Sequence, residues 1–242
     1  MKNVLKLIIQ LLIQLMNKMF SSKREFYSLQ YLKGKGLEIG ALTLPLLTSP
    51  CVRVKYVDKF SIDVLRKHYP KLKNYNMVIP DIIENGEELN SIESESQDFI
   101  IANHFLEHCQ NPILTIKNML RVLKRKGILY LTVPDKEKSF DKMREVTLFD
   151  HFIEDFERGS SLSKREHYVD FVKNVYSITD DKIIQQTANE LIQNDFSIHF
   201  HVWDSNSIIM FLWKVNLILE NSYSLELFTR NDLEFLIIIK KQ

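Results

Sequence analysis

The sequence predicts an α/β fold: a mostly parallel sheet of seven strands, helices on both faces, and a helical insertion after the fifth strand. Three observations carry this. Short apolar runs ending in Gly, Asp or Pro alternate with stretches of helical period. The run at 98–102, Asp-Phe-Ile-Ile-Ala, is apolar enough to be buried on both faces, as strands of parallel sheets are. Gly34, Gly36 and Gly40, half of the six glycines, crowd into one strand-and-turn segment, where the backbone must approach something closely.

Taken in order, residues 1–24 stand apart from a domain expected over 25–242. Residues 1–20 are rich in Leu, Ile and Met, with Asn3, Lys6, Gln10, Gln14 and Asn17 at steps of three or four, the stripe of an amphipathic helix. Its unbroken apolar runs are too short for a spanning helix, and no small-residue cleavage site follows. Packing on the domain or on a second subunit is the plain expectation. Lys2, Lys6, Lys18, Lys23 and Arg24 would let it lie on anionic lipid instead.

Within the domain, residues 36–40 read as a strand entering a tight turn, 52–57 as a second strand ending at Asp58, and 76–80 as a third. Ser61 is placed to cap a helix through His68. After the fourth strand, Pro112 opens a helix to about Leu123, and 128–133 form a fifth strand stopped by Pro134. Residues 135–198 are polar and helical in pattern, an insertion or lid. Asp204 or Ser205 caps a helix to about Trp213, and 215–220 and 233–240 read as two last strands, an antiparallel pair.

Composition narrows the function. A net charge of +1, with no basic stripe interleaved with aromatic residues, argues against nucleic acid. Cys51 and Cys109 have neither metal spacing nor a disulfide framework, which fits a reduced, cytoplasmic setting. In a doubly wound sheet ligands bind at the carboxyl ends of the strands. There Gly40 makes the turn, and Asp58 follows at the spacing that lets a carboxylate accept ribose hydroxyls.

These segments resemble the successive cofactor motifs of the class I S-adenosylmethionine-dependent methyltransferases. The resemblance rests on Glu38-Ile39-Gly40-Ala41-Leu42, Tyr56-Val57-Asp58, Pro80-Asp81-Ile82, the run from Asp98 to His104 and the run from Gly127 to Asp135. It implies a Rossmann-like domain with S-adenosyl-L-methionine as cofactor. Glu38, Gly40 and Ala41 would shape the loop around its methionyl part, Asp58 and Lys59 would meet the ribose, Asp81 and Ile82 the adenine, and Asn103 and His104 would lie near the methyl group. Leu42 and Leu44 stand where the family has further glycines, which narrows the loop. Later segments, Phe140-Asp141, 147–156, Arg165-Glu166-His167-Tyr168 and 199–203, resemble a bacterial subgroup associated with glycosyltransferases and surface polysaccharides.

The expected activity is therefore methylation of a hydroxyl on a sugar or surface-glycan precursor. Two other readings stand beside it: a methyltransferase for a small metabolite, quinone or lipid, and a catalytically silent binding subunit. A hydroxyl acceptor needs a base, and His is the usual one near neutral pH. His104, His151 and His201 are the leading candidates, with His167 and His199 behind them. His199 and His201 would share a strand face continued by Trp203, which could stack on a sugar. The string His104-Phe105-Leu106-Glu107-His108 matches an inverted zinc-protease motif, but it follows a buried strand rather than lying mid-helix. No spacing demands a metal, so none is expected. Oligomeric state is left open.

Overall fold

The computed structural model describes residues 23–72 and 74–242, so the helix expected over 1–20 lies outside the described residues. A seven-stranded sheet forms the centre, in the order β3-β2-β1-β4-β5-β7-β6. Its strands are β1 (Lys35–Ile39), β2 (Arg53–Asp58), β3 (Ile82–Ile83), β4 (Gln97–Asn103), β5 (Leu123–Pro134), β6 (Tyr223–Asn231) and β7 (Glu234–Lys241). β1 to β5 pair in parallel, and β7 runs antiparallel between β5 and β6. The sheet is thus the predicted mostly parallel one.

The pleat explains the two-sided core. On β4 and β5, Ile100, Ala102, Leu129 and Leu131 face one layer, while Phe99, Ile101 and Tyr130 face the other. The first layer holds α3 (Pro112–Val122), with Ile113, Ile116, Met119 and Leu120, and α7 (Ser205–Ile218), with Ile208, Phe211, Leu212 and Val215. The second holds α1 (Lys23–Tyr31) through Tyr27 and Tyr31, followed by Leu32. α2 (Ile62–His68) follows β2, its N-cap Ser61 making no side-chain cap bond. Pro112 sits in the first turn of α3, and the Asn111 side chain accepts from Leu114 N.

The insertion folds as α4 (Phe149–Arg158), α5 (Lys164–Asn174) and α6 (Asp181–Gln193). It carries a small core of its own, in which Tyr168, Phe171, Val172, Ile184 and Ala188 meet Ile198 and Phe200. Among the described residues no helix is long and apolar enough to cross a membrane.

Three elements differ from the sequence expectation. The third strand is not 76–80 but the two-residue β3. Val78 N bonds to Leu42 O, and the ladder with β2 starts only after Pro80, which has no N–H to give. Residues 215–218 are the end of α7 rather than a strand, because Val215 continues the buried helical stripe of Ile208, Phe211 and Leu212. The last pair of strands is consequently β6 with β7. Segment 199–203 is in no helix or strand.

The glycine cluster also divides. A Cβ on Gly36 would fall on the carbonyl oxygen of Phe99 in β4, so this glycine serves strand packing rather than a ligand. Gly36→Ala should cost about 1–3 kcal/mol, a melting point lower by roughly 2–4 °C per kcal/mol in a thermal melt. An unchanged midpoint would mean that β1 and β4 have room to part.

Candidate active site

A cleft of about 410 Å³ opens at the carboxyl ends of β1, β2 and β4. Ile39, Gly40, Leu42, Asp58, Lys59, His104 and Phe105 line it from the sheet, and Tyr168, Asp195, Phe196 and Phe200 from the insertion. The turn after β1 begins with Gly40 at φ 66°, and Leu42 takes a left-handed φ of 47°. That conformation costs a non-glycine residue roughly 1 kcal/mol. Leu42 thus lines the cleft where the family has glycine, whereas Leu44 is 78% exposed and points away from the protein.

Beneath the turn, the buried Glu38 accepts from Leu46 N through Oε1 at 2.8 Å, while its Oε2 has no partner. Glu38 therefore holds the Leu46 end of the loop from below and does not line the cleft. Desolvation pushes its pKa up to about 7. The folded state then holds a proton that the unfolded chain releases near 4.5, so this stability is complete below about 4.5 and lost as pH rises through about 7. Glu38→Gln should flatten the fall in melting temperature between pH 4.5 and 7. An equally steep fall in the variant would assign it to another group.

Asp58 ends β2 and lines the cleft, with Oδ1 accepting from Phe60 N at 3.2 Å. Burial raises its pKa. Lys59 also lines the cleft, but its Nζ pairs at 2.6 Å with Asp195 of the insertion. Ala41 lies within the turn, its carbonyl accepting from Leu44 N, and is not part of the lining. Asp81 and Ile82 do not line the cleft either. Asp81 Oδ2 accepts from Tyr56 N at 2.8 Å, and Ile82 packs on the sheet core. Asn85, Gly86 and Glu87 line that side instead. Asn103 leaves both side-chain polar atoms buried without a partner at the end of β4.

His104 stands at φ 48° just after β4 and lines the cleft. Its Nδ1 lies 3.1 Å from Glu107 Oε1 and its Nε2 2.8 Å from Glu234 Oε2. These two carboxylates overcome desolvation and raise its pKa to about 9. With both ring nitrogens engaged it holds a proton and has no lone pair for a base. Glu234, lowered to about 2, is also bound by the Arg24 guanidinium.

The other predicted bases lie behind the cleft wall. His201 is fully buried and His151 half-buried, and neither lines the cleft. They converge with His167 and Asp155 in one cluster. Burial pushes His167 down to about 4 and His201 below the usual imidazole range. His199 points elsewhere: its Nδ1 bonds Asp141 at 2.6 Å, and it neighbours His108 and Glu107. The two histidines do not share a face, because their segment is not in a ladder. Trp203 is buried and stacks on Phe152 with ring centroids 5.7 Å apart, so it is not available to a sugar.

The residue that the sequence expectation passed over is His108. It lines the cleft, its Nδ1 lies 2.8 Å from the Ile198 carbonyl, and burial lowers its pKa. An Nδ1–H donating to that carbonyl leaves Nε2 as the basic nitrogen.

The cleft suits a nucleoside cofactor. Ile39, Leu65 and Phe105 give apolar walls, Asp58 and Glu87 give carboxylates for hydroxyls and amines, and Gly40 supplies the positive φ of the turn. Residues 34–131 match the protein family described as "Methyltransferase domain". An uncharacterized protein of Methanocaldococcus jannaschii is 32% identical over 116 residues, 47% of this chain. The chain thus spans about half the length (51%) of the curated relative it matches. A SAM-dependent methyltransferase from Methanosarcina mazei superposes with a TM-score of 0.48 at 18% identity, covering 89% of this chain and 95% of that one. A chain assigned to the Zn-dependent alcohol dehydrogenases of Rhodobacter sphaeroides superposes with a TM-score of 0.53 at 12% identity, covering 92% and 90%, a likeness of fold alone. The match to the methyltransferase domain family covers residues 34–131, less than half of the chain, and the cofactor it implies is S-adenosyl-L-methionine.

Proposed function

We propose that the whole chain is an S-adenosylmethionine-dependent methyltransferase acting on a hydroxyl of a sugar or surface-glycan precursor. The observation that carries the enzyme half is the cleft itself, with Asp58 at the end of β2 facing a wall supplied by the insertion. The sugar half is supported by the likeness of residues 140–203 to methyltransferases associated with surface polysaccharides.

Asp58 would hold the ribose, and Gly40, with Glu38 beneath it, would set the loop at the methionyl part. When bound, the cofactor supplies an electrophilic methyl group on a sulfonium. What remains for the chain is alignment of the acceptor and removal of its proton. His108 is suited to the second task, because burial favours its neutral form and the Ile198 carbonyl fixes its ring. The half-exposed Lys59–Asp195 pair spans from the β2 end to the insertion and ties the two walls of the cleft together.

Isothermal titration with S-adenosylmethionine and its demethylated product tests the cofactor half, and binding of neither would sink the proposal. Binding without transfer to any glycan precursor would favour the small-metabolite, quinone or lipid reading or the silent subunit over the sugar half. Loss of glycan O-methyl groups on deleting the gene would support the sugar half, and an unchanged glycan would remove it. His108→Gln should bind cofactor normally and lose roughly 10²–10⁴-fold in turnover. Full turnover in that variant would exclude His108 as the base.

A further inference from the structure

We propose that His151, Asp155, His167 and His201 form a tetrahedral zinc site that staples the helical insertion to the segment lining the cleft. The site lies outside the cleft and does not depend on which acceptor is methylated.

The four residues come from three places. His151 and Asp155 are four apart on α4 and so share a face. His167 comes from α5 and His201 from the segment before α7. One potential ligand atom from each lies within 4.8 Å of all the others. His151 Nε2 is 2.9 Å from His167 Nε2 and 3.2 Å from Asp155 Oδ2. A tetrahedral zinc with nitrogen and oxygen ligands at about 2.1 Å has edges of roughly 3.4 Å, so the shortest spacing must open by about 0.5 Å and the longest close by up to about 1.4 Å.

The hydrogen-bond accounting points the same way. Asp155 Oδ1 accepts from Ser163 Oγ at 2.6 Å, and buried Oδ2 forms no hydrogen bond but lies in ion-pair range of His151 Nε2. His201 Nε2 lies 3.5 Å from the Gln110 carbonyl, and Nδ1 is buried with no partner. In both residues one atom is held from outside and the other is left over. That is the arrangement in which outer partners orient metal ligands. His151 Nε2 carries either one N–H or one lone pair, so without an ion it cannot fully satisfy both His167 Nε2 and Asp155 Oδ2.

The donor set selects the ion. Three imidazoles and one carboxylate, with Asp155 and His201 buried, His167 nearly so and His151 half-buried, can fill all four positions of a structural zinc site with protein. Calcium and magnesium prefer oxygen shells. The consequence for the cleft is positional. Tyr168 follows His167 and Phe200 precedes His201, and both line the cleft. The ion would fix that wall without touching the reacting atoms.

A second convergence, Glu107, His108 and His199, is the internal rival. Its members are more fully engaged: Glu107 with His104, His108 with the Ile198 carbonyl, and His199 with Asp141.

Metal analysis of the tag-free full chain, loaded with zinc and dialysed, decides. The expected result is about one zinc per chain, a raised melting temperature with zinc, and tetrahedral visible bands when cobalt(II) replaces it. Asp155→Ala with His167→Ala should abolish retention, while His108→Gln should keep it. No retained metal in the loaded wild type overturns the proposal. So does retention that disappears with His108 and survives the double substitution. If the double variant does not fold, the wild-type cobalt spectrum decides: octahedral or absent bands reject the site.

Discussion

Replacing Arg144 with methionine should lower stability by about 3–5 kcal/mol, the cost of stranding a buried ion partner. Arg144 and Asp141 are each about 2% exposed. The guanidinium donates to Asp141 Oδ1 at 2.8 Å, to Asp170 Oδ2 at 2.7 Å and to the carbonyls of His199 and Phe200 at 2.8 and 3.3 Å. Methionine fills the volume but makes none of these bonds. Asp141 would keep only His199 and Ser139 as partners for its carboxylate. In a chain of this size the melting point should fall by roughly 6–20 °C. A calorimetric shift of less than about 2 °C would mean that water replaces the guanidinium at no cost. Adding Asp141→Leu should recover part of the loss, because removing both charges is cheaper than removing one. Arg144 and His199 hold the Asp141 carboxyl below the usual carboxylate range, so its contribution is present above about 3.8 and lost as pH falls below that.

Asp58→Ala should weaken cofactor binding about 10- to 150-fold, the equivalent of a charged hydrogen bond of roughly 1.5–3 kcal/mol. Asp58 lies at the end of a strand whose pairing with β1 runs from Lys35↔Arg53 to Ile39↔Val57, so the carboxylate position is fixed by the sheet. Burial already raises its pKa, which means the folded chain holds a carboxylate that is short of donors. A ribose would supply them. Titration calorimetry of wild type and variant measures the difference, and equal affinities would remove Asp58 from the cofactor site. Asp58→Asn should fall between the two, since an amide keeps an acceptor but loses the charge.

The parts of the fold legible in the sequence were those whose pattern is local. Asp98-Phe99-Ile100-Ile101-Ala102 announces a strand buried on both faces, and it is one. Pro112 and Asp204 announce helix starts, and Asp204 completes a capping box with Ser207. The third strand is not legible, because two residues of ladder are chosen by the partner strand and not by their own pattern. The end of α7 is ambiguous, because a short apolar run suits a buried helix and a strand equally well.

The site divides along the same line. Gly40 and Asp58 sit at strand ends and were found from strand grammar. His151, His167, His199 and His201 were all visible as candidates, yet their sorting into two clusters is tertiary information. Asp155 was missed although its spacing from His151, one helical turn, was a readable sign. Glu234 lies 130 residues from His104, and nothing in either neighbourhood suggests that they meet.

The pairing of Arg24 with Glu234 bears on where this chain tolerates a cut. Composition invites a boundary between residues 24 and 25, yet α1 runs across it. A fragment starting at residue 25 would leave Glu234 with His104 and Asn231 as its partners and deprive the Tyr130 hydroxyl of the Arg24 carbonyl it donates to. The first turn of α1 is therefore wired to the floor of the cleft. Trimming that looks like removal of an appendage would unbalance the charges under His104, and a usable truncation must begin no later than Lys23.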